Sequence, residues 1–205
     1  AAWDMTRDAE LSASDWVALV RSGLPHESDI GVQQGVLRQA ASALHLFTPV
    51  AGRQAALADF ADFLGEQARD AEPGSDRQLS LVRSFVSLAR TDEQLSLVSA
   101  ALDGSDPFTG LTVDADLRWA LLHRLVAMGR ADDEAIEAEL ERDRTASGVD
   151  PSQQFDASLG LLQERKALLE QLDPLFIPGK RIGQAQPPLF QVVDDLLQRL
   201  QRVLE

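Results

Sequence analysis

The sequence predicts an all-α protein, a HEAT-like superhelical array of antiparallel helix pairs with a C-terminal helical hairpin. Three observations predict it. Apolar residues recur at spacings of three and four through most of the chain, the period of a helix buried along one stripe. The breaks between these stretches are turn-forming clusters of Gly, Pro, Ser and Asp, and strand signals shrink to short pieces such as Gly110-Leu111-Thr112-Val113. A helix–junction–helix pattern also repeats at a distance of forty residues, with Arg90-Thr91-Asp92-Glu93 and Arg130-Ala131-Asp132-Asp133 at equivalent places.

The elements follow in order. Helices are expected at Trp3–Glu10, Ser14–Ser22, Asp29–Phe47 and Arg53–Asp70. Gly23-Leu24-Pro25 and Thr48-Pro49 interrupt them. Glu72-Pro73-Gly74-Ser75 is the next turn, and Asp76–Ala89 and Asp92–Leu102 the next helix pair. Thr91 and Gln94 have capping-box spacing at the start of the second of these, where a side-chain oxygen can accept an unpaired first-turn N–H. Leu95, Val98 and Leu102 continue its stripe. Gly104–Val113 is the longest irregular stretch of the first 148 residues.

Ala115–Met128 is then a helix capped by Asp114 and striped by Leu117, Leu121, Leu122, Leu125 and Val126. Gly129 can end it, because glycine enters the left-handed region at low cost. Asp132 starts Asp133–Thr145, with Ile136 and Leu140 facing inward. Beyond Gly148 a helix is expected near Gln154–Leu172, then the irregular DPLFIPGKRIGQAQPP, then a last helix Leu189–Leu204. These two form a hairpin that caps the array.

Composition divides the chain at the same place. Residues 1–148 carry 25 acidic and 13 basic side chains and no lysine, whereas 149–205 carry 8 and 6, both lysines of the chain and nine of its 16 glutamines. Two segments are therefore expected: a helical solenoid over 1–148 and a helical tail over 149–205. The net charge of −14 argues against nucleic acid or an anionic membrane surface as a partner. Without cysteine there is neither a disulfide framework nor thiolate chemistry. No apolar run approaches the ~20 residues of a membrane span. The chain opens inside a helical pattern without Met, as a fragment of a longer protein would.

Leu117–Gly148, LRWALLHRLVAMGRADDEAIEAELERDRTASG, resembles the C-terminal helical domain of bacterial zinc aminopeptidases of the aminopeptidase N family. AAWDMTRDAELSASDWVALV, GLPHESDIGVQQGVLRQA and AEPGSDRQLSLVRSFVSLARTDEQL look like the same domain, in the right order. The resemblance covers about residues 1–148, and 149–205 do not match it. It implies a solenoid over a thermolysin-like catalytic domain, closing the substrate chamber, in a cytoplasmic bacterial enzyme. The partners it implies are that catalytic domain and peptide substrates.

The residues of the chain point away from chemistry of their own. Zinc peptidase chemistry needs two histidines one helical turn apart, a glutamate base between them and a further carboxylate. His26, His45 and His123 do not pair in that way. His26 reads as a loop residue before the Ser28 or Asp29 cap, and the other two as surface or packing residues inside helices. The exopeptidase signature GxMEN and a GxSxG elbow are missing. No catalytic or metal-binding residue is therefore expected in this chain; zinc would belong to the catalytic domain of the longer enzyme.

Other candidates have plainer readings. The acidic run Asp132, Asp133, Glu134, Glu137, Glu139 and Glu141 reads as a helix N-terminus plus a solvated face, rather than a cation site or a lure for amino-terminal substrates. Asp194-Asp195 reads likewise. Trp3, Trp16 and Trp119 read as core, and Arg118 and Arg124 as surface salt-bridging groups rather than a clamp for a peptide carboxylate. Phe176, Lys180 and Arg181 lie in an irregular apolar and cationic stretch and are the candidate partner-binding residues. Against this stands the reading that Phe176 and Ile182 only pin the loop. The expected function is a non-catalytic wall of a peptidase chamber that limits peptide access. The rival is a standalone or engineered helical scaffold that binds an unknown protein partner.

Overall fold

A computed structural model describes residues 1–147 together with 159, 160 and 163. Residues 1–121 and 122–205 form two compact units. The described residues are all-α. The eight helices among them are α1 Ala2–Arg7, α2 Ala13–Gly23, α3 Ile30–Ser42, α4 Val50–Asp70, α5 Asp76–Leu88, α6 Asp92–Leu102, α7 Ala115–Ala127 and α8 Asp133–Ser147. The capping hairpin and its helices at Gln154–Leu172 and Leu189–Leu204 lie outside the described residues, as does most of the 149–205 segment.

Most helix starts are written in the local sequence. Ser12, Asp29, Ser75, Thr91, Asp114 and Asp132 each accept the backbone N–H three residues on, at 2.8–3.2 Å. Such a bond satisfies one of the donors that a helix cannot pair internally. The exceptions are α1, whose cap position Ala1 offers no side-chain acceptor, and α4, which begins at Val50 behind Pro49, three residues before the expected Arg53. There Arg53 reaches back, its Nε and Nη2 donating to the Thr48 carbonyl at 3.2 and 3.0 Å.

Two helix ends differ from expectation by more than two residues. The first helix stops at Arg7 rather than Glu10, because Ala9 takes a positive φ of 62° and turns the chain. The third is regular only to Ser42 and continues as a π-helical turn, Ala43–Phe47. Pro49 then disfavours helical backbone at the residue before it, and Thr48 is extended at φ −87°, ψ 133°.

In the first unit α4 and α5 make the most extensive packing. Leu57, Phe60, Ala61, Leu64 and Ala68 meet Leu81, Val82, Phe85 and Val86, all nearly or fully enclosed. Phe85 crosses Phe108 edge to face at 5.6 Å, and the Arg69 guanidinium covers the other ring at 5.6 Å. Phe108, 1% exposed, thereby pins the irregular stretch 103–114 to the core. Arg77 ties the α2–α3 connection to α5, donating to the carbonyls of Leu24, at 2.8 Å, and Glu27. In the second unit Leu122, Leu125, Val126 and Ile136 are buried.

The forty-residue repeat is visible in local geometry. Each junction joins a 13-residue helix to another helix whose cap accepts an N–H three residues on, Thr91 in one and Asp132 in the other. The junctions differ in how the first helix ends. Gly129 turns at φ 73°, whereas Ala89 leaves α5 at φ −56°, ψ 130°.

Candidate functional site

The first unit carries an open groove of about 680 Å³ between the α1–α2 turn, α2, the π-helical turn and the start of α4. Its floor is apolar, with Ala13, Val17, Leu44 and Ala56. Arg21 is fixed on one wall: its Nη1 donates to Asp59 and its guanidinium lies 5.0 Å from the Phe63 ring centre. At the other end Phe47, 43% exposed, stands 6.1 Å from the Trp3 ring, which is 5.9 Å from Trp16. Leu46 and Val50, 66% and 57% exposed, extend this apolar end outward.

The polar groups of the groove are occupied by structure. The Ser12 hydroxyl accepts the Asp15 N–H at 3.0 Å and contacts the Asp15 carboxylate at 2.6 Å, as a helix cap does. Thr48 Oγ1 donates to the Ala43 carbonyl at 3.3 Å and Thr6 Oγ1 to that of Ala2 at 3.2 Å. An apolar floor with one anchored ion pair suits contact with a polypeptide segment. A nucleophile held against a general base, which acyl transfer needs, is not what these side chains form.

A second set of polar residues is buried and structural. Gln78 and Gln94 are each 1% exposed and stand at the third position of α5 and α6. The Gln78 oxygen accepts from Gly74 N at 2.8 Å, and its nitrogen donates to the carbonyls of Ala68 and Thr109 at 3.3 and 3.1 Å. The Gln94 oxygen accepts from Arg90 N at 2.9 Å, and its nitrogen donates to Ala58 O at 2.8 Å and Asp62 Oδ1 at 2.7 Å. Gln94 was legible through its spacing from Thr91. Ser75 and Gln78 have the same spacing and were missed.

Arg90 is bonded by its Nε to Leu88 O at 3.0 Å and by its Nη1 to Gln54. Burial brings its guanidinium down from the usual arginine range to about 10. Gln33 on α3 is fully enclosed, and its amide has no hydrogen-bond partner among the described residues.

The other candidates are placed as follows. His26 is exposed in the short turn Leu24–His26, and Asp29 rather than Ser28 is the cap that follows it. His45 and His123 are half-buried inside helical segments. Trp16 and Trp119, 6% and 2% exposed, are core as expected, while Trp3 is half-buried. Arg118 Nη1 donates to the Leu102 carbonyl at 2.7 Å and closes the end of α6. Arg124 is no surface group, being 7% exposed. The solvated-face reading of the acidic run holds for Glu137 and Glu141 but not for Glu139, which is 7% exposed. Phe176, Lys180 and Arg181 lie outside the described residues.

Residues 1–180 match the family model of the ERAP1-like C-terminal domain. Aminopeptidase N of Streptomyces lividans is 49% identical over 147 residues, which are 72% of this chain and 17% of that protein. The chain thus spans about one sixth of the length of this relative. On both counts, the chain belongs to the ERAP1-like C-terminal domain family, as a C-terminal domain of the aminopeptidase N type.

Proposed function

We propose that this chain is the non-catalytic C-terminal domain of a zinc aminopeptidase, and that it walls the substrate chamber and limits which peptides enter. The observation that carries this reading is the 49% identity to a protein named aminopeptidase N, over a stretch that is 17% of it. The helical construction supports it too: caps, glutamine ties and a pinned connecting loop make a stiff wall. On this reading zinc and the catalytic groups belong to the rest of the longer enzyme. The partners are that catalytic part and peptide substrates, and a cytoplasmic site of action belongs to the same proposal.

The test exchanges this chain for the corresponding segment of the Streptomyces lividans protein and measures turnover of aminoacyl-naphthylamides and of peptides of increasing length. The hybrid is expected to keep turnover of the small substrates and a length limit on peptides. A version lacking the segment is expected to lose the limit if it remains folded. The isolated chain is expected to hydrolyse nothing and to bind no stoichiometric zinc. A hybrid indistinguishable from the shortened enzyme in peptide selection, or chelator-sensitive turnover by the isolated chain, overturns the proposal.

A further inference from the structure

Gln33 on α3 is fully enclosed, and neither end of its amide meets a hydrogen-bond partner among the described residues. Its place in the helix explains why. Gln78 and Gln94 stand at the third position of α5 and α6, where first-turn N–H groups and junction carbonyls are free to pair with an amide. Gln33 stands one place further on: Asp29 is the cap of α3, and Val32 holds the third position. Its own N–H already closes the helix on the Asp29 carbonyl at 2.9 Å. The carbonyls of Leu24 and Glu27, in the connection before α3, already take the guanidinium of Arg77.

The side chain is also held inward. Gln33, Leu37 and Ala40, at spacings of four and three, are the buried stripe of α3, while Val32 and Gln34 on either side of Gln33 are exposed. An amide enclosed in this way is strongly unfavourable unless something hydrogen-bonds to it. The neighbourhood has polar groups and short side chains. α3 packs on both α2 and α5. Arg77, Ser80 and Ser84 share one face of α5 at spacings of three and four, and from that face Arg77 reaches the connection into α3. Ser80, one turn beyond Arg77, is itself buried. Two serines leave more room beside the first turns of α3 than Leu81 and Phe85 leave on the α4 side.

We propose that Gln33 anchors an internal water-binding site in the first unit, in which enclosed water accepts from Gln33 Nε2 and donates to Gln33 Oε1. Such waters make about three hydrogen bonds to polar groups that the protein leaves unpaired. The bound water then does for α3 what free backbone groups do for Gln78 and Gln94: it completes the hydrogen bonding of a buried amide. The site lies within α3 and its neighbours and does not depend on the peptidase reading.

The test uses the intact 205-residue chain labelled with 15N and 13C. The Gln33 side-chain NH2 is assigned through its own Cγ, and magnetisation transfer from water to its protons is measured. A direct nuclear Overhauser effect of the sign given by protein-bound water is expected. Oxygen-17 relaxation dispersion, which reads water oxygen and not protein hydroxyls, then counts long-lived waters in the wild type and in Gln33→Met. The methionine keeps the length of the side chain without its donors and strong acceptor, and should hold fewer long-lived waters. Gln33 protons that show no such effect overturn the proposal, and so does an unchanged count in Gln33→Met. The first measurement needs only the wild-type chain and decides the matter even where the variant fails to fold.

Discussion

Gln94 Nε2 stands 2.7 Å from Asp62 Oδ1 and joins the first turn of α6 to the middle of α4 across 32 residues of sequence. The same nitrogen reaches the Ala58 carbonyl at 2.8 Å, one turn earlier on α4. The oxygen of the amide is taken by the N–H groups of Arg90 and Thr91 at 2.9 and 3.3 Å. One neutral side chain thus closes a helix start, a junction and a helix pair.

Gln94→Leu removes both donors and the acceptor while keeping most of the volume. It leaves the junction N–H groups without their acceptor, at a cost of about 1–3 kcal/mol. Gln94→Glu should cost more, since a carboxylate would face Asp62 and the Ala58 carbonyl with no proton to donate. Urea unfolding of the full chain checks the order. Equal midpoints for the wild type and the glutamate variant would show that this amide ties nothing together.

The helices, their caps and most of the core were legible because they are local. Asp29, Thr91, Asp114 and Asp132 precede stripes with a 3.6-residue period, and a cap needs only its own first turn; Ser12 and Ser75 cap in the same way but were not read as caps. Terminal positions were less legible. Pro49 starts α4 three residues early through its effect on Thr48, and Ala9 ends α1 with a left-handed residue that no pattern announces. The groove was not legible, because the Arg21–Asp59 pair spans 38 residues and depends on how helices meet. The buried charges of α8 escaped for a related reason. A charged residue in an amphipathic pattern reads as solvent-facing, and only its surroundings reveal that Glu139 is enclosed.

Gly110 and Pro73 provide a test of close approach. Gly110 has φ 79°, and a Cβ placed on it would come within 2.6 Å of the Pro73 Cβ. Gly104 has φ 87° and nothing within 4 Å of the same position. Gly104→Ala should therefore show the left-handed strain alone, about 1–2 kcal/mol. Gly110→Ala should show that strain plus the displacement of a proline ring, and so lose clearly more. Because Phe108 anchors the same loop, proteolysis between residues 103 and 114 should quicken in the Gly110 variant first. Equal losses for the two variants would mean that the loop yields without resistance.

Trp119 is the largest of the fully enclosed side chains, at 2% exposure, and it lies on α7 between the enclosed Leu117 and Leu121. Its alternative role, stacking on a bound ligand, needs an accessible ring face that this burial does not offer. Trp119→Ala should therefore act as a core truncation, losing about 3–5 kcal/mol through lost transfer energy and a residual cavity. Trp119→Phe keeps part of the ring volume and should lose distinctly less. The tryptophans also separate by environment, since Trp3 is half-buried beside Phe47 at the open groove. Acrylamide should quench Trp3 readily and Trp119 hardly at all, with each signal assigned through single Trp→Phe variants. An unchanged unfolding midpoint for Trp119→Ala, together with ready quenching of Trp119, would move this ring from the core to the surface and restore the ligand-stacking role.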